Sequence, residues 1–151
     1  MRLVLPVLTS LILMAALGGC SKASETEAEP APETVTAPVV IGGVDLTRPV
    51  RVLGTEPFWA IDIADQDLVL TRPDVADVTA PVASPIVTGT TAVYTGTTDS
   101  GQTVVLTLIA TECSDGMSDR LYPLTARVEL GEETLNGCGT TPEALAQAPA
   151  V

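Results

Sequence analysis

Short runs in which apolar and polar side chains alternate fill the chain from residue 48 to residue 139. The alternation is clearest at 103–109 and 125–130, where every second residue is apolar, as in strands with one buried face. Thr, Val and Ile dominate these runs, and strands favour these residue types. The pattern predicts strands at 50–53, 58–63, 67–71, 82–87, 91–98, 102–110, 122–130 and 133–135.

The Gly and Asp residues between these runs are typical of short turns, which favour antiparallel connections. Asp99-Ser100-Gly101 separates two strong strand signals and predicts a hairpin. No helical period persists over ten residues in this region. The pattern therefore predicts one all-β domain, 48–139, built as a small antiparallel barrel or sandwich.

The first 19 residues have the features of an export signal. Arg2 precedes an apolar run that ends in small residues before Cys20. The run is too short for a membrane-spanning helix, which needs about 20 apolar residues. The segment 17–20 also resembles the bacterial lipobox, which implies a lipid-modified Cys20 and a stable membrane anchor. Ser21 rather than Asp follows the cysteine, and this favours the outer membrane of a Gram-negative envelope, facing the periplasm; an ordinary secreted protein is the alternative.

The segments on either side of the predicted domain have the composition of solvated chain. Residues 20–47 are mostly Ser, Glu, Thr, Ala and Pro, and we expect a disordered tether. Residues 140–151 are rich in Ala and Pro and predict a flexible tail, in which 142–147 could form one frayed helical turn. The tether would hold the domain away from the membrane.

Charge limits the partners. The chain has 7 Lys and Arg against 19 Asp and Glu; loss of Arg2 with the signal would leave six against 19, a formal charge of −13. Nucleic acid is an unfavourable partner, because phosphate binding needs basic side chains. A cationic protein or a divalent cation would be attracted, although acidity can also serve solubility alone. There is no His, which excludes His-dependent nucleophilic and metal sites.

Three cysteines remain to be assigned in an exported chain. If Cys20 carries lipid, Cys113 and Cys138 form an even pair, and we predict a disulfide between them. Closing a loop of this length would stabilise the fold by about 3 kcal/mol. A soft-metal site built from the two thiolates and Met117 is the alternative.

The segment 112–123 is the densest polar run of the chain and the best candidate for a site, because polar loops on rigid sheets often carry function. It would converge with the turn before the second predicted strand. The candidate ligand-binding or partner-binding residues are Glu56, Trp59, Asp115, Asp119, Arg120 and Tyr122.

A structural role for the same residues is the competing interpretation. Trp59 would fill the end of the barrel, and Asp115 would cap the Gly116 turn through its own side chain. Arg120 would pair with Glu56 or Asp115. No catalytic residue, metal or cofactor is expected, since carboxylates such as Glu56 or Asp119 lack the pattern of a glycoside-hydrolase pair or an EF-hand loop.

Two segments carry a family resemblance, 53–63 and 113–123, closed by 135–139. They resemble a family of uncharacterised bacterial envelope lipoproteins with a G-x-E-P-F-W element, a C-x-D-G-M-S-D element followed by Y-P, and a final G-C. Similar domains are compared with membrane-bound inhibitors of C-type lysozyme. The resemblance implies a lipid-anchored envelope protein. With the absence of His and the polar segment 112–123, we expect a non-catalytic binding module. Inhibition of a C-type lysozyme and carboxylate-based hydrolysis of cell-wall material are the alternatives.

Overall fold

A computed structural model describes residues 37–147 and confirms the all-β prediction with its Cys113–Cys138 disulfide. The signal segment, Cys20, most of the tether and residues 148–151 of the predicted tail lie outside the described residues. The elements are β1 (Val40–Ile41), β2 (Val44–Asp45), β3 (Val50–Thr55), β4 (Phe58–Ala64), β5 (Asp67–Arg72), β6 (Val75–Pro81), β7 (Ile86–Thr88), β8 (Thr91–Thr97), β9 (Thr103–Ile109), β10 (Cys113–Ser114), β11 (Leu121–Tyr122), β12 (Leu124–Leu130), β13 (Glu133–Thr140) and α1 (Pro142–Ala146).

Nine of these strands form one antiparallel sheet in the order β6-β5-β4-β3-β13-β12-β9-β8-β7. The sheet curls into a half-barrel, so that Val82, just after β6, bridges Gly96 of β8. The backbone N–H of Val82 also donates to Gln66 O at 2.8 Å. The two ends of the sheet are thereby brought together without a continuous ladder between them.

The inner face of the curled sheet holds the core. Alternate residues of each long strand point inward, which gives β4 its buried Trp59, Ile61 and Ile63 and β9 its buried Val104, Leu106 and Leu108. Burying each such aliphatic side chain contributes roughly 1.5–3 kcal/mol. Apolar alternation thus specifies both the strands and the face that each one buries.

The domain begins earlier than residue 48. The hairpin of β1 and β2 turns at Gly42 and Gly43, both at positive φ, and buries Ile41, Val44 and Leu46 in the core. Gly-Gly between apolar residues is a hairpin signal. The predicted tether therefore ends before these residues, because their apolar side chains complete the core.

Three strand predictions need correction. Residues 122–130 were predicted as one strand, but Tyr122 belongs to β11, which pairs with β10, and β12 begins only after Pro123. Residues 82–87 were predicted as one strand, but Pro85 separates the isolated bridge at Val82 from β7. Strand β6 was not predicted, because its sequence is flanked by prolines and most of its side chains are exposed. At the other end of the chain β13 continues to Thr140, and α1 follows with Thr141 as its N-cap, in the segment expected to form a helical turn.

Candidate functional site

The segment between β9 and β12 folds back over the outer face of the sheet. Strands β10 and β11 pair with each other, and the disulfide joins Cys113 to Cys138 of β13 with the Cα atoms 5.5 Å apart. Cys138 pairs in register with Leu53 of β3 and Thr125 of β12. Cys138 and Tyr122 are both buried, yet they lie outside the inner core. Residues 113–122, called the disulfide loop below, therefore cover a second, smaller apolar cluster.

The carboxylate of Asp115 organises the disulfide loop. Its Oδ1 accepts the backbone N–H groups of Met117 and Ser118, both at 2.9 Å. The hydroxyls of Ser118 and Tyr122 donate to Oδ2 at 2.9 Å each. The first of these bonds confirms the predicted cap of the Gly116 turn. Ser118 was not among the predicted residues, although its position three residues after an Asp is typical of such a turn.

These bonds fix the charge state of the site. The backbone N–H of Met117, followed by the Ser118 and Tyr122 donors, lowers the pKa of Asp115 to about 2. Burial, together with the hydrogen bond to Asp115, raises the pKa of Tyr122. At neutral pH the pair is therefore a carboxylate that accepts from a neutral phenol. Such a carboxylate is unsuited to donate a proton as a general acid.

A hydrogen bond from β3 brings the turn between β3 and β4 to the disulfide loop. This turn is the other segment that was predicted to contribute to the site. The hydroxyl of Thr55 donates to the backbone oxygen of Asp115 at 3.0 Å. The next two residues, Glu56 and Pro57, form the turn to β4, with a cis peptide bond between them. Glu56 lines a cavity of about 430 Å³ with Met117 of the loop. The predicted convergence of the two segments is therefore present.

Trp59 lies on the other face of the sheet. Its side chain is 4 % exposed and belongs to the inner core, so it fills the interior as the structural interpretation expected. The indole lies against Gly54 and Gly137, where a Cβ atom would collide with it. Its buried Nε1 has no hydrogen-bond partner within residues 37–147. The Trp59 indole is thus not presented to a ligand beside Asp115.

Arg120 does not pair with Glu56 or Asp115. Its guanidinium donates to the backbone oxygens of Ala144 and Leu145 at 3.1 and 3.3 Å, and lies 5.8 Å from the centre of the Tyr122 ring. Cations interact favourably with the last carbonyls of a helix and with aromatic faces. Arg120 therefore ties α1 to the disulfide loop, a partner that strand patterns alone do not reveal.

The exposed part of the site consists of acidic and apolar side chains that are not held by the hydrogen bonds described above. Glu56 and Asp119 are exposed, and within residues 37–147 neither has an arginine at ion-pair distance. Two large apolar side chains are also exposed: Met117, at 68 %, lines the same cavity as Glu56, and Phe58, at 56 %, lines a neighbouring cavity. Asp119 follows Met117 by two residues in the disulfide loop. Phe58 was not predicted as a site residue. Because side chains alternate between the two faces of a strand, a buried Trp59 implies that Phe58 before it points to the opposite, exposed face. These four residues are called the loop surface below.

The metal alternatives fit poorly. The disulfide consumes both thiolates of the soft-metal site. In the described part of the chain, no three acidic, Cys or His side chains are grouped closely enough to hold a metal ion. Both oxygens of Asp115 already accept hydrogen bonds, which a cation would have to displace.

Compared with protein-family models, curated proteins and solved structures, the chain has no significant match in any of the three. Within residues 37–147 there is also no helix with the length and hydropathy of a membrane span. Function is therefore inferred from the residues of the chain themselves.

Proposed function

We propose that the protein is a non-catalytic binding module of the cell envelope, anchored by lipid on Cys20 and facing the periplasm from the outer membrane. Its loop surface, Glu56, Phe58, Met117 and Asp119, holds a cationic protein. The export signal and the lipobox resemblance support the location. The excess of acidic over basic side chains within residues 37–147 is the observation that favours a cationic partner.

Every positive side chain of the described domain is engaged within the chain. Residues 37–147 contain five arginines and neither Lys nor His. Four arginines pair with a carboxylate: Arg48 with Glu143, Arg51 with Asp62, Arg72 with Glu133, and Arg127 with Glu129. Arg120 binds backbone oxygens of α1. The acids that remain without an arginine give the surface its negative potential, which would steer a cationic partner.

The loop surface combines this charge with apolar area. Aromatic and Met side chains are enriched in protein interfaces, whose rims are polar. Phe58 and Met117 provide the apolar part, and Glu56 and Asp119 provide the charges. Scattered exposed apolar residues are common on protein surfaces. These two flank one contact, between Thr55 and Asp115, and each lines a cavity beside it.

The surface is also held in place before a partner arrives. The Asp115 hydrogen bonds and the Cys113–Cys138 disulfide fix one side of it, and the Thr55 contact fixes the other. Ordering side chains and loops on binding reduces affinity, so a surface that is already ordered binds more tightly.

Inhibition of a C-type lysozyme is a narrower form of the same proposal. It is favoured by the exposed Asp119 in the disulfide loop, which could enter a cationic cleft. Asp115 is not available for that role, because its oxygens are occupied within the loop. Hydrolysis of cell-wall material is supported least, since Glu56 and Asp119 are solvent-exposed and lack the water-excluded surroundings that favour acid–base catalysis.

Titration of the full chain with a C-type lysozyme, followed by calorimetry, tests the proposal. The double variant Glu56→Gln/Asp119→Asn should bind at least fivefold more weakly, and raising the salt concentration should weaken binding of the unaltered protein. The control Asp77→Asn/Asp99→Asn removes two exposed acids, one in β6 and one in the turn between β8 and β9, and should change affinity by less than twofold.

Cell-wall hydrolysis measured in parallel separates the alternatives. Binding with loss of lysozyme activity supports the inhibitor, and binding without that loss supports the broader module. Equal weakening by the two double variants, or no binding to lysozyme and to a second cationic protein, would refute the loop surface as the site. Hydrolysis by the protein alone would establish an enzyme instead.

A further inference from the structure

A further cavity lies near the end of β4 that is far from Trp59. It has a volume of about 610 Å³, within the range of roughly 300–1,000 Å³ typical of small-molecule sites. The apolar walls are formed by Val39, Leu46, Ile63, Val82, Pro85 and Tyr94. The cavity shares no lining residue with the loop surface, so it stands apart from the proposed function.

One polar group in these walls is poorly satisfied. The Tyr94 side chain is 3 % exposed, and its hydroxyl has a single partner among the described residues, the backbone oxygen of Leu46 at 3.5 Å. That distance is at the limit of a hydrogen bond. Burial raises the pKa of Tyr94 to about 12, so the hydroxyl remains a donor at any physiological pH. The hydroxyl has one proton to donate, so a ligand oxygen at an ordinary hydrogen-bond distance would replace Leu46 O as its acceptor.

The rim of the cavity carries one charge. Among the lining residues Asp65 is the only acidic or basic side chain, and it is exposed. Asp65 and Gln66 form the turn between β4 and β5 with φ values of 53° and 68°, a conformation that favours Asn and Gly. Val82 holds this turn through its hydrogen bond to Gln66. A carboxylate is thus held beside the apolar walls of this cavity.

We propose that this cavity binds a small cationic amphiphile. The apolar body of the ligand lies against the walls around Ile63 and Val82, its positively charged head faces Asp65, and an acceptor oxygen on the body meets the Tyr94 hydroxyl. Anionic amphiphiles bind poorly, because a head group at the rim meets the Asp65 carboxylate and no lining cation.

Methyl NMR of the full chain tests this with two probes of equal chain length, decyltrimethylammonium and decyl sulfate, each below its micelle concentration. The ammonium probe should shift the methyl signals of Leu46, Ile63 and Val82 in a saturable way, and decyl sulfate should bind at least tenfold more weakly. Saturable shifts for both probes at equal affinity would remove the role of Asp65, and their absence for both would overturn the site.

Two pairs of variants make the result specific. Asp65→Asn keeps a residue that tolerates positive φ and should weaken binding of the ammonium probe at least fivefold, whereas Asp74→Asn changes an acid at φ 58° outside the cavity and should not. Ala83→Trp places an indole at the entrance and should abolish the shifts; Ala76→Trp, on exposed β6, should leave them unchanged. Equal behaviour within either pair would contradict the proposal.

Discussion

Removal of the Asp115 side chain is the most informative perturbation of the disulfide loop. In Asp115→Ala the backbone N–H groups of Met117 and Ser118 lose their acceptor, and so do the hydroxyls of Ser118 and Tyr122. The four donors differ in their access to water. Met117 is exposed and Ser118 is partly exposed, whereas the Tyr122 side chain is only 4 % exposed.

The expected loss of stability follows from this difference. A buried donor left without a partner costs roughly 1–3 kcal/mol, while a donor that water can reach loses about 0.5 kcal/mol. Asp115→Ala should therefore lower the free energy of unfolding by about 3.5 kcal/mol, about 2 of it from Tyr122 and about 0.5 from each of the other three donors. For a domain of this size the melting temperature should fall by on the order of 10 °C.

The pH dependence of Asp115→Asn isolates the charge. The carboxyl pKa is lowered from 3.8 to about 2 in the folded state, so ionisation stabilises the fold fully above pH 3.8 and progressively less as the pH falls towards 2. Because the carboxylate is partly exposed, water screens this contribution to about 1 kcal/mol at neutral pH. The stability difference between the unaltered protein and Asp115→Asn should shrink through that window.

Unfolding by urea, followed by fluorescence, measures both effects, because Trp59 is the only Trp of the chain and is buried. Asp119→Asn is the matched control, since it removes an exposed acid from the same loop and should leave stability unchanged. If Asp115→Ala lost less than about 0.5 kcal/mol, or if Asp119→Asn had the same pH profile as Asp115→Asn, the account of the loop would be wrong.

Three further predictions concern the contacts around this loop. Gly54→Ala should destabilise the domain by about 1–3 kcal/mol in urea unfolding, because its Cβ would collide with the Trp59 indole; a neutral result would show that the core can yield there. Replacing both cysteines, Cys113→Ala/Cys138→Ala, should cost about 3 kcal/mol by freeing the unfolded chain, and unchanged urea midpoints would contradict this. Arg120→Ala should speed amide exchange in α1 and cost about 1 kcal/mol, and equal exchange in both proteins would show that α1 is held otherwise.

Sequence patterns within a few residues of one another predicted most of the strands, turns between them and the Asp115 cap. The strand pair on either side of Asp99-Ser100-Gly101 follows from apolar alternation and a turn signal, and β8 and β9 do pair antiparallel around it. The Cys113–Cys138 bond followed from cysteine number and compartment. The cap at Gly116 followed from the chemistry of an Asp beside a Gly.

The remaining features depend on distant parts of the chain. Ile41, Val44 and Leu46 were assigned to the tether, because only the curled sheet provides the core that they complete. Arg120 reaches carbonyl groups of α1, and no sequence pattern connects a guanidinium to backbone oxygens two dozen residues away. The binding interpretation grouped Trp59 with Asp115, but the pleat of β4 turns the indole to the inner face, as the structural interpretation expected.

The central claim is that the loop surface binds a cationic protein. Amide hydrogen exchange of the full chain, with and without a saturating C-type lysozyme, tests it most directly. We predict that protection increases in 55–58 and 113–122, while the exposed strand β6 exchanges at an unchanged rate. Protection confined to other segments, or no change at a concentration where binding is measured, would contradict the claim.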